Sequence, residues 1–344
     1  MSVSWIAKQL ILSLFPSVWP QAQVAPQPPK YAEIERLGGK VSESPDADET
    51  GAPFLAVSFS RCQDLVRCLR AVRDLRNVRY LDLTETNADD QTFSRVELPT
   101  GLIALNLAFT HVGDHGLGAL VKLKALTYLD LMYTDVSDGI SAVLKRLPNL
   151  ETLVLNGTKA GDASVAALKD AKSLQVLVLS GTRVTDAGLE KLSGAPSLAT
   201  LLLGDTVVTD VGVSHLKGVH GLTSLGLSHT RITDAGLKHL AGFGWLELLD
   251  ISGTAVTEAG LAHLGLSQSL RDIVLPNALL TEPGLHHLVN IPSLGTLTLQ
   301  PVSSTAERDR LVGLVRRSLP QVKVEWGISE IKKSTVPQPP AVKK

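Results

Sequence analysis

Aromatic residues make up only 4% of this sequence, cysteine occurs twice, and the formal net charge is −1. Each scarcity excludes something. With so few rings, any core has to be built from Leu, Val and Ala, and a 44% hydrophobic content supplies enough of them. Cys62 and Cys68 are too few for a disulfide framework or a four-cysteine zinc site. Set among Leu65, Val66 and Leu69, they read as two buried thiols. A near-zero charge gives no pull toward nucleic acid or an anionic membrane. The signatures of common active sites are also missing. There is no GxGxxG after a strand, no phosphate-binding P-loop, no HExxH and no GxSxG. The expectation is a protein with no catalytic residues, no cofactor and no metal.

The N-terminus carries one apolar run, LILSLFPSVW at 10–19, preceded by Lys8 and followed by the small residues Ala22 and Ala25. That order resembles a secretory signal, and the run is too short to span a bilayer. Export to a periplasm, envelope or extracellular space is therefore expected, with a cytoplasmic chain that keeps its leader as the alternative. No integral membrane span is expected.

What the sequence has in abundance is repetition. LSGTRVTDAGLEKL (179–192), LSHTRITDAGLKHL (227–240) and ISGTAVTEAGLAHL (251–264) are near copies. The leucine that opens each LxxLxL phrase falls at Leu102, Leu126, Leu150, Leu174, Leu198, Leu222, Leu246, Leu270 and Leu294, always 24 residues apart. Val78 and Phe54 extend the register backward, making eleven units in 344 residues. The end of LxxLxL alternates like a short strand with leucines on one face. The phrase [TD]xGLxxL has apolar residues every three positions and a Thr or Asp before them, as a short helix or 3₁₀ turn requires. One unit cannot bury its own leucines, whereas stacked units share a continuous core.

These phrases resemble the leucine-rich-repeat family, in the 24-residue variety of bacterial proteins with TDxGL helix starts. They are also similar to the repeats of ribonuclease inhibitor and F-box-associated proteins. The resemblance covers about residues 54–326. It implies an α/β solenoid, with a curved parallel sheet on the concave side and short helices on the convex side. Strands about 4.8 Å apart backed by helices about 8–10 Å apart have to bend. The expected division is a leader and Pro-rich linker at 1–30, an N-terminal cap at 31–53, the array at 54–301, a cap helix and strand at 302–326, and a disordered tail at 327–344. In the N-terminal cap, Tyr31, Ile34 and Leu37 share a helix face that Gly38 ends. Where the family often has Asn after the strand, this chain has Thr86, Thr110, Thr134, Thr158, Thr182, Thr206, Thr230 and Thr254. As buried hydroxyls they are expected to bond the backbone of adjacent units.

Three further columns invite chemistry. Asp90, Asp114, Asp138, Asp162, Asp186, Asp210, Asp234, Glu258 and Glu282 supply one carboxylate per unit, too few for calcium. They suit the positive end of each helix. His215, His239, His263 and His287 lie on outer helices, too far apart to share zinc. Arg67, Arg70, Arg73 and Arg76 read as a solvated helix face.

The concave face is different. Between the leucines, side chains point away from the core, and there the sequence places Tyr80, Asp82, Asn106, Tyr128, Asp130, Val154, Val176, Val178 and Leu202. Met132, Phe109 and Tyr133 follow just beyond the strands. Apolar and aromatic residues on a water-facing strand surface mark an interaction site. These twelve residues are the candidate binding site, with Asp82 and Asp130 selecting a basic or hydrogen-bonding ligand. The expected function is that of a monomeric, non-catalytic module for a protein or peptide ligand. A substrate-recruiting adaptor of the F-box-associated type and a structural envelope or surface protein are the alternatives. Residues 1–53 hold no segment suited to be an F-box.

Overall fold

A computed structural model describes residues 31–327 apart from 49, 60, 61 and 63. The expected leader and Pro-rich linker (1–30) and most of the expected tail (328–344) lie outside the described residues. Thirteen strands form one sheet whose order follows the chain. They are β1 (Lys40–Ala47), β2 (Pro53–Ser58), β3 (Val78–Asp82), β4 (Ala104–Asn106), β5 (Tyr128–Asp130), β6 (Thr152–Val154), β7 (Val176–Val178), β8 (Thr200–Leu202), β9 (Ser224–Gly226), β10 (Leu248–Asp250), β11 (Asp272–Leu275), β12 (Thr296–Leu299) and β13 (Lys323–Trp326). β1 and β2 are antiparallel, and every later pair is parallel. From β3 to β12 residues 24 apart in sequence are partners, as in Tyr80↔Ala104 and Ala104↔Tyr128.

The repeat explains this architecture. Each short strand turns its central leucine inward, and Leu105, Leu129, Leu153, Leu177, Leu201, Leu225 and Leu249 are wholly buried. They meet leucines from the opposite wall, such as Leu189, Leu237 and Leu261, in one continuous core. That wall is built from short α and 3₁₀ segments. Asp234–Leu240 and Glu258–Leu264 are α-helices of 7 residues, whereas Asp138–Ile140 is a 3₁₀ turn of 3. Threonine starts several of them: Thr185 and Thr233 accept from the backbone N–H two residues on.

The acidic column does more than face a helix dipole. The Asp186 carboxylate accepts from Thr209 N–H (2.8 Å) and Thr209 Oγ1–H (2.6 Å) of the next unit. Asp162, Asp210 and Asp234 hold Thr185, Thr233 and Thr257 in the same way. The same oxygens explain the glycine of TDxGL. A Cβ at Gly188 or Gly236 would stand 2.5 Å from Oδ1 of Asp162 or Asp210. The carboxylate of one unit occupies the place of a side chain in the next.

The threonine column acts within its own unit. Thr134 Oγ1 donates to Leu131 O at 2.7 Å, and Thr86, Thr110, Thr158, Thr182, Thr206, Thr230 and Thr254 repeat this bond three residues back. Bonds to adjacent units were expected. The geometry follows from the tight turn, which brings the strand's last inward carbonyl under the hydroxyl.

The ends differ more from the repeat. Helix Ala32–Arg36 stops at Gly38 (φ 84°), and β1 then pairs with β2, a strand the sequence reading did not anticipate. A register shift between β2 and β3 sets Leu55 against Val78, so Leu55 rather than Phe54 takes the core position. Phe54 instead lies under the Arg79 guanidinium, 4.8 Å from its ring centre. Cys62 and Cys68 are buried, but they are joined in a disulfide rather than left as thiols. Helix Leu65–Arg73 carries Cys68 and leaves Arg67, Arg70 and Arg73 exposed on its outer face. At the other end the 14-residue helix Thr305–Ser318 and β13 close the stack.

Candidate functional site

Two side-chain columns run across the face of the sheet away from the helices. The first passes through Tyr80, Ala104, Tyr128, Thr152, Val176, Thr200, Ser224 and Leu248, and the second through Asp82, Asn106, Asp130, Val154, Val178, Leu202, Gly226 and Asp250. Ala104, Ala108, Tyr128, Met132, Val154, Val176, Val178, Leu202 and Leu248 form an apolar cluster separate from the main core, with Tyr80, Phe109 and Tyr133 packed on it. Ten of the twelve residues singled out by sequence thus join or flank one patch: Tyr80, Phe109, Tyr128, Met132, Tyr133, Val154, Val176, Val178 and Leu202 in or against the cluster, and Asp130 bonded to Tyr128. Asp82 and Asn106 stand in the second column beside it.

These side chains were expected to stand in water, and most do not. Val154 is 0% exposed, Val176 1%, Tyr128 5% and Leu202 6%. Asp82 and Asn106 remain half-exposed.

The polar residues at the strand ends have a local task. Asp82 accepts from Thr84 N–H and Oγ1–H, Asn106 from Ala108 N–H, Asp130 from Met132 N–H, and Asp250 from Ser252 N–H and Oγ–H. Each caps the turn leaving its strand. Asp130 is also reached by the Tyr128 hydroxyl at 3.3 Å. Burial raises the Asp130 carboxyl from its ordinary 3.8 to about 7, against the lowering effect of the Met132 and Tyr128 hydrogen bonds. Burial likewise raises the phenols of Tyr80, Tyr128 and Tyr133. All three therefore remain hydrogen-bond donors at neutral pH.

A third column explains why aromatic residues are conspicuous here. Glu85, Phe109, Tyr133, Gly157, Gly181, Asp205, His229 and Gly253 all have φ between 51° and 70°. The left-handed turn aims their N–H at the next unit: Phe109 N bonds Met132 O, and Tyr133 N bonds Asn156 O. Glycine takes this conformation freely, whereas other residues are strained by roughly 1–2 kcal/mol. Phe109 and Tyr133 nonetheless occupy it, and their rings stack with centres 5.2 Å apart. They form a ridge at the edge of the apolar patch.

Two groups were not anticipated. Among the described residues, Thr200 Oγ1 and Asn156 Oδ1 are buried with no hydrogen-bond partner. Thr200 stands in the first column, and Asn156 follows β6. Neither was singled out from the sequence, because their lack of partners depends on three-dimensional packing. Among the described residues no group of three or more His, Cys, Asp or Glu could hold a metal ion, and no helix is long and apolar enough to cross a membrane.

A family model for the leucine-rich repeat matches residues 171–193 and 221–241. No curated protein sequence matches the chain. Among solved structures, an internalin, InlF of Listeria monocytogenes, superposes with a TM-score of 0.50 at 17% identity, over 88% of this chain and 90% of the other. A plant peptide hormone receptor, RGFR1 in complex with RGF2, aligns over 82% of this chain and 51% of its own, at 14% identity and a TM-score of 0.40. The internalin likeness is one of fold.

Proposed function

Since the chain is a leucine-rich-repeat protein, we propose that it is a non-catalytic module that holds a peptide, or an extended segment of a protein, on its concave face. The observation that carries this reading is the second apolar cluster. A solenoid needs only its inner core to stand, yet here Tyr128, Met132, Val154, Val176, Val178 and Leu202 gather on the other side of the sheet. Large apolar and aromatic side chains in such a position supply the anchors of an interface. Thr200 Oγ1 and Asn156 Oδ1 add a donor and an acceptor that a peptide backbone satisfies. With Asp130 titrating near 7, the centre of the face is only weakly anionic at neutral pH. The ligand is therefore chosen more by apolar shape than by positive charge.

The Cys62–Cys68 disulfide supports an exported protein, because such bonds persist in oxidising compartments. The test is selection from a random peptide library on the full-length chain. Convergence on an apolar motif is expected, with affinity reduced at least ~10-fold by Tyr133→Ala, a change worth about 1.4 kcal/mol. The same motif should bind unchanged to His239→Ala on the outer wall. Selection of no motif, or indifference to Tyr133→Ala, would sink the assignment.

A further inference from the structure

The segment that leads from the outer wall into a strand ends on Asn or Ser in most units. Asn149, Ser269 and Ser293, each just before the first leucine of a unit, donate to the carbonyls of Lys124, Leu246 and Leu270 one unit back. The segments entering β9 and β10 have Gly221 and Trp245 at this position instead, and there the bond between units is given up. Trp245 is 69% exposed. Close to it, Gly242 and Gly244 have no positive φ, and a Cβ on either would meet nothing within 4 Å. The fold itself does not require glycine there. Between segments 217–222 and 239–245 a cavity of about 550 Å³ opens to solvent, with Lys217, His220, His239, Phe243 and Trp245 among its walls. No described Asp or Glu borders it.

We infer that this cavity holds a ring of an acidic oligosaccharide, at a site on the edge of the array apart from the concave face. An exposed indole is a flat apolar platform with a negative face. The C–H face of a pyranose packs against it while the sugar hydroxyls stay at the rim. Those hydroxyls suit His220, which is exposed, and His239, which is half-buried, because an imidazole offers both a donor and an acceptor nitrogen. Lys217, with no carboxylate along the walls, selects an anionic ring over a neutral one. The volume lies within the range of small-ligand sites. Cations also continue along the same edge. Lys145 and Lys169 hold the position of Lys217 in their units, Lys172 holds that of His220, and all three are exposed, with Asp170 as the acidic residue among them. A chain of charged sugars meets these cations beyond the cavity, whereas a lipid acyl chain would leave Lys217 and both imidazoles unmatched.

The experiment screens the full-length chain on immobilised oligosaccharides that bear uronic, sialic or sulfate groups, each beside its neutral counterpart. An acidic member is expected to bind saturably, and its affinity should fall about tenfold in Trp245→Ala and in Lys217→Gln. Both side chains are exposed, so neither change opens the core. Gly244→Leu keeps every group that meets the sugar but places a side chain at the rim, and it should weaken binding as well. Tyr133→Ala on the concave face should leave sugar binding unchanged, so this site and the peptide-binding face stand or fall separately. No retained member, equal retention of the neutral counterparts, or binding that Trp245→Ala leaves intact would overturn the proposal. So would a chain that retains no sugar yet binds anionic phospholipid vesicles through Trp245, which would assign the edge to a membrane surface.

Discussion

The ring of Tyr133 lies across Gly157, so close that a Cβ on the glycine would stand 2.5 Å from Tyr133 Cδ1. His229 covers Gly253 in the same manner. Where a ring lies across the left-handed turn of the next unit, as those of Tyr133 and His229 do, that turn is glycine, whereas Phe109 stacks on the ring of Tyr133 instead. Two glycines of the column thus lie under a ring, and the aromatic ridge of Phe109 and Tyr133 ends at the first of them.

Gly157→Ala should destabilise the protein more than Gly181→Ala. Both glycines are left-handed, at φ 70° and 67°, so both substitutions carry roughly 1 kcal/mol of backbone strain. A Cβ at Gly181 meets nothing nearer than 3.6 Å, while one at Gly157 has to move the tyrosine ring. Denaturant midpoints of the two variants measure the difference. Equal midpoints would show that the ring yields without cost.

Asp186 should contribute through Thr209 and not through its helix. Asp186→Ala removes two hydrogen bonds across a unit boundary and leaves the Thr209 N–H short of its acceptor, a loss of about 1–3 kcal/mol. Asp186→Asn keeps one acceptor and should cost less. A double-mutant cycle with Thr209→Val separates the causes. Strong coupling supports the clamp, whereas additive effects would return the carboxylate to a dipole role. Native-state hydrogen exchange around 185–212 is the suitable readout, because repeat arrays need not unfold in one step.

Asp130 should make the fold less stable as pH rises from about 4 to about 7. Its folded-state pKa is about 7 against an ordinary 3.8, so in this window the folded chain holds a proton that the unfolded chain has lost. Stability is fully present below the unfolded value. It then falls, with a limiting slope of about 1.4 kcal/mol per pH unit, and levels off above pH 7. Asp130→Asn keeps an oxygen for the Met132 N–H and removes the titration. The variant should be less pH-sensitive across that window and more stable than wild type at pH 8. Parallel stability curves for the two proteins would show that Asp130 is solvated.

The array was legible in the sequence because one spacing repeats without insertion. Once Leu102 and Leu126 are aligned, the partners of every strand from β3 to β12 follow by counting. The concave columns were legible for the same reason, since Tyr80, Ala104 and Tyr128 have to be neighbours if the leucines between them face inward. Burial was not legible. Periodicity tells which face Val154 is on, but not how closely its neighbours pack around it. The chemistry between units was hidden as well. Asp186 and Thr209 look like two independent helix-start signals, and only the stack shows that one reaches the other. At the N-terminal end the repeat fails, so β1 and the shift that puts Leu55 in place of Phe54 had no periodic signal to announce them. The pairing of Cys62 with Cys68 depends on that same irregular stretch.

Thr200 and Thr206, six residues apart, should respond to valine in opposite ways. Thr206 is 5% exposed and donates to Leu203 O at 2.7 Å, so Thr206→Val removes a buried hydrogen bond and should cost about 1 kcal/mol. Thr200 is 0% exposed and its Oγ1 has no partner. There the hydroxyl is desolvated for nothing in return, and Thr200→Val should leave the free protein as stable as before or more so. An unsatisfied group of this kind, kept on the proposed binding face, makes sense if a ligand supplies its hydrogen bond. Thr200→Val should then weaken a peptide that needs Tyr133 while sparing the fold, which Thr206→Val cannot do. Thermal denaturation and titration of that peptide on the two variants test both halves. A Thr200→Val variant that unfolds earlier than wild type would mean that the hydroxyl has a partner within the fold, and its use in binding would be withdrawn.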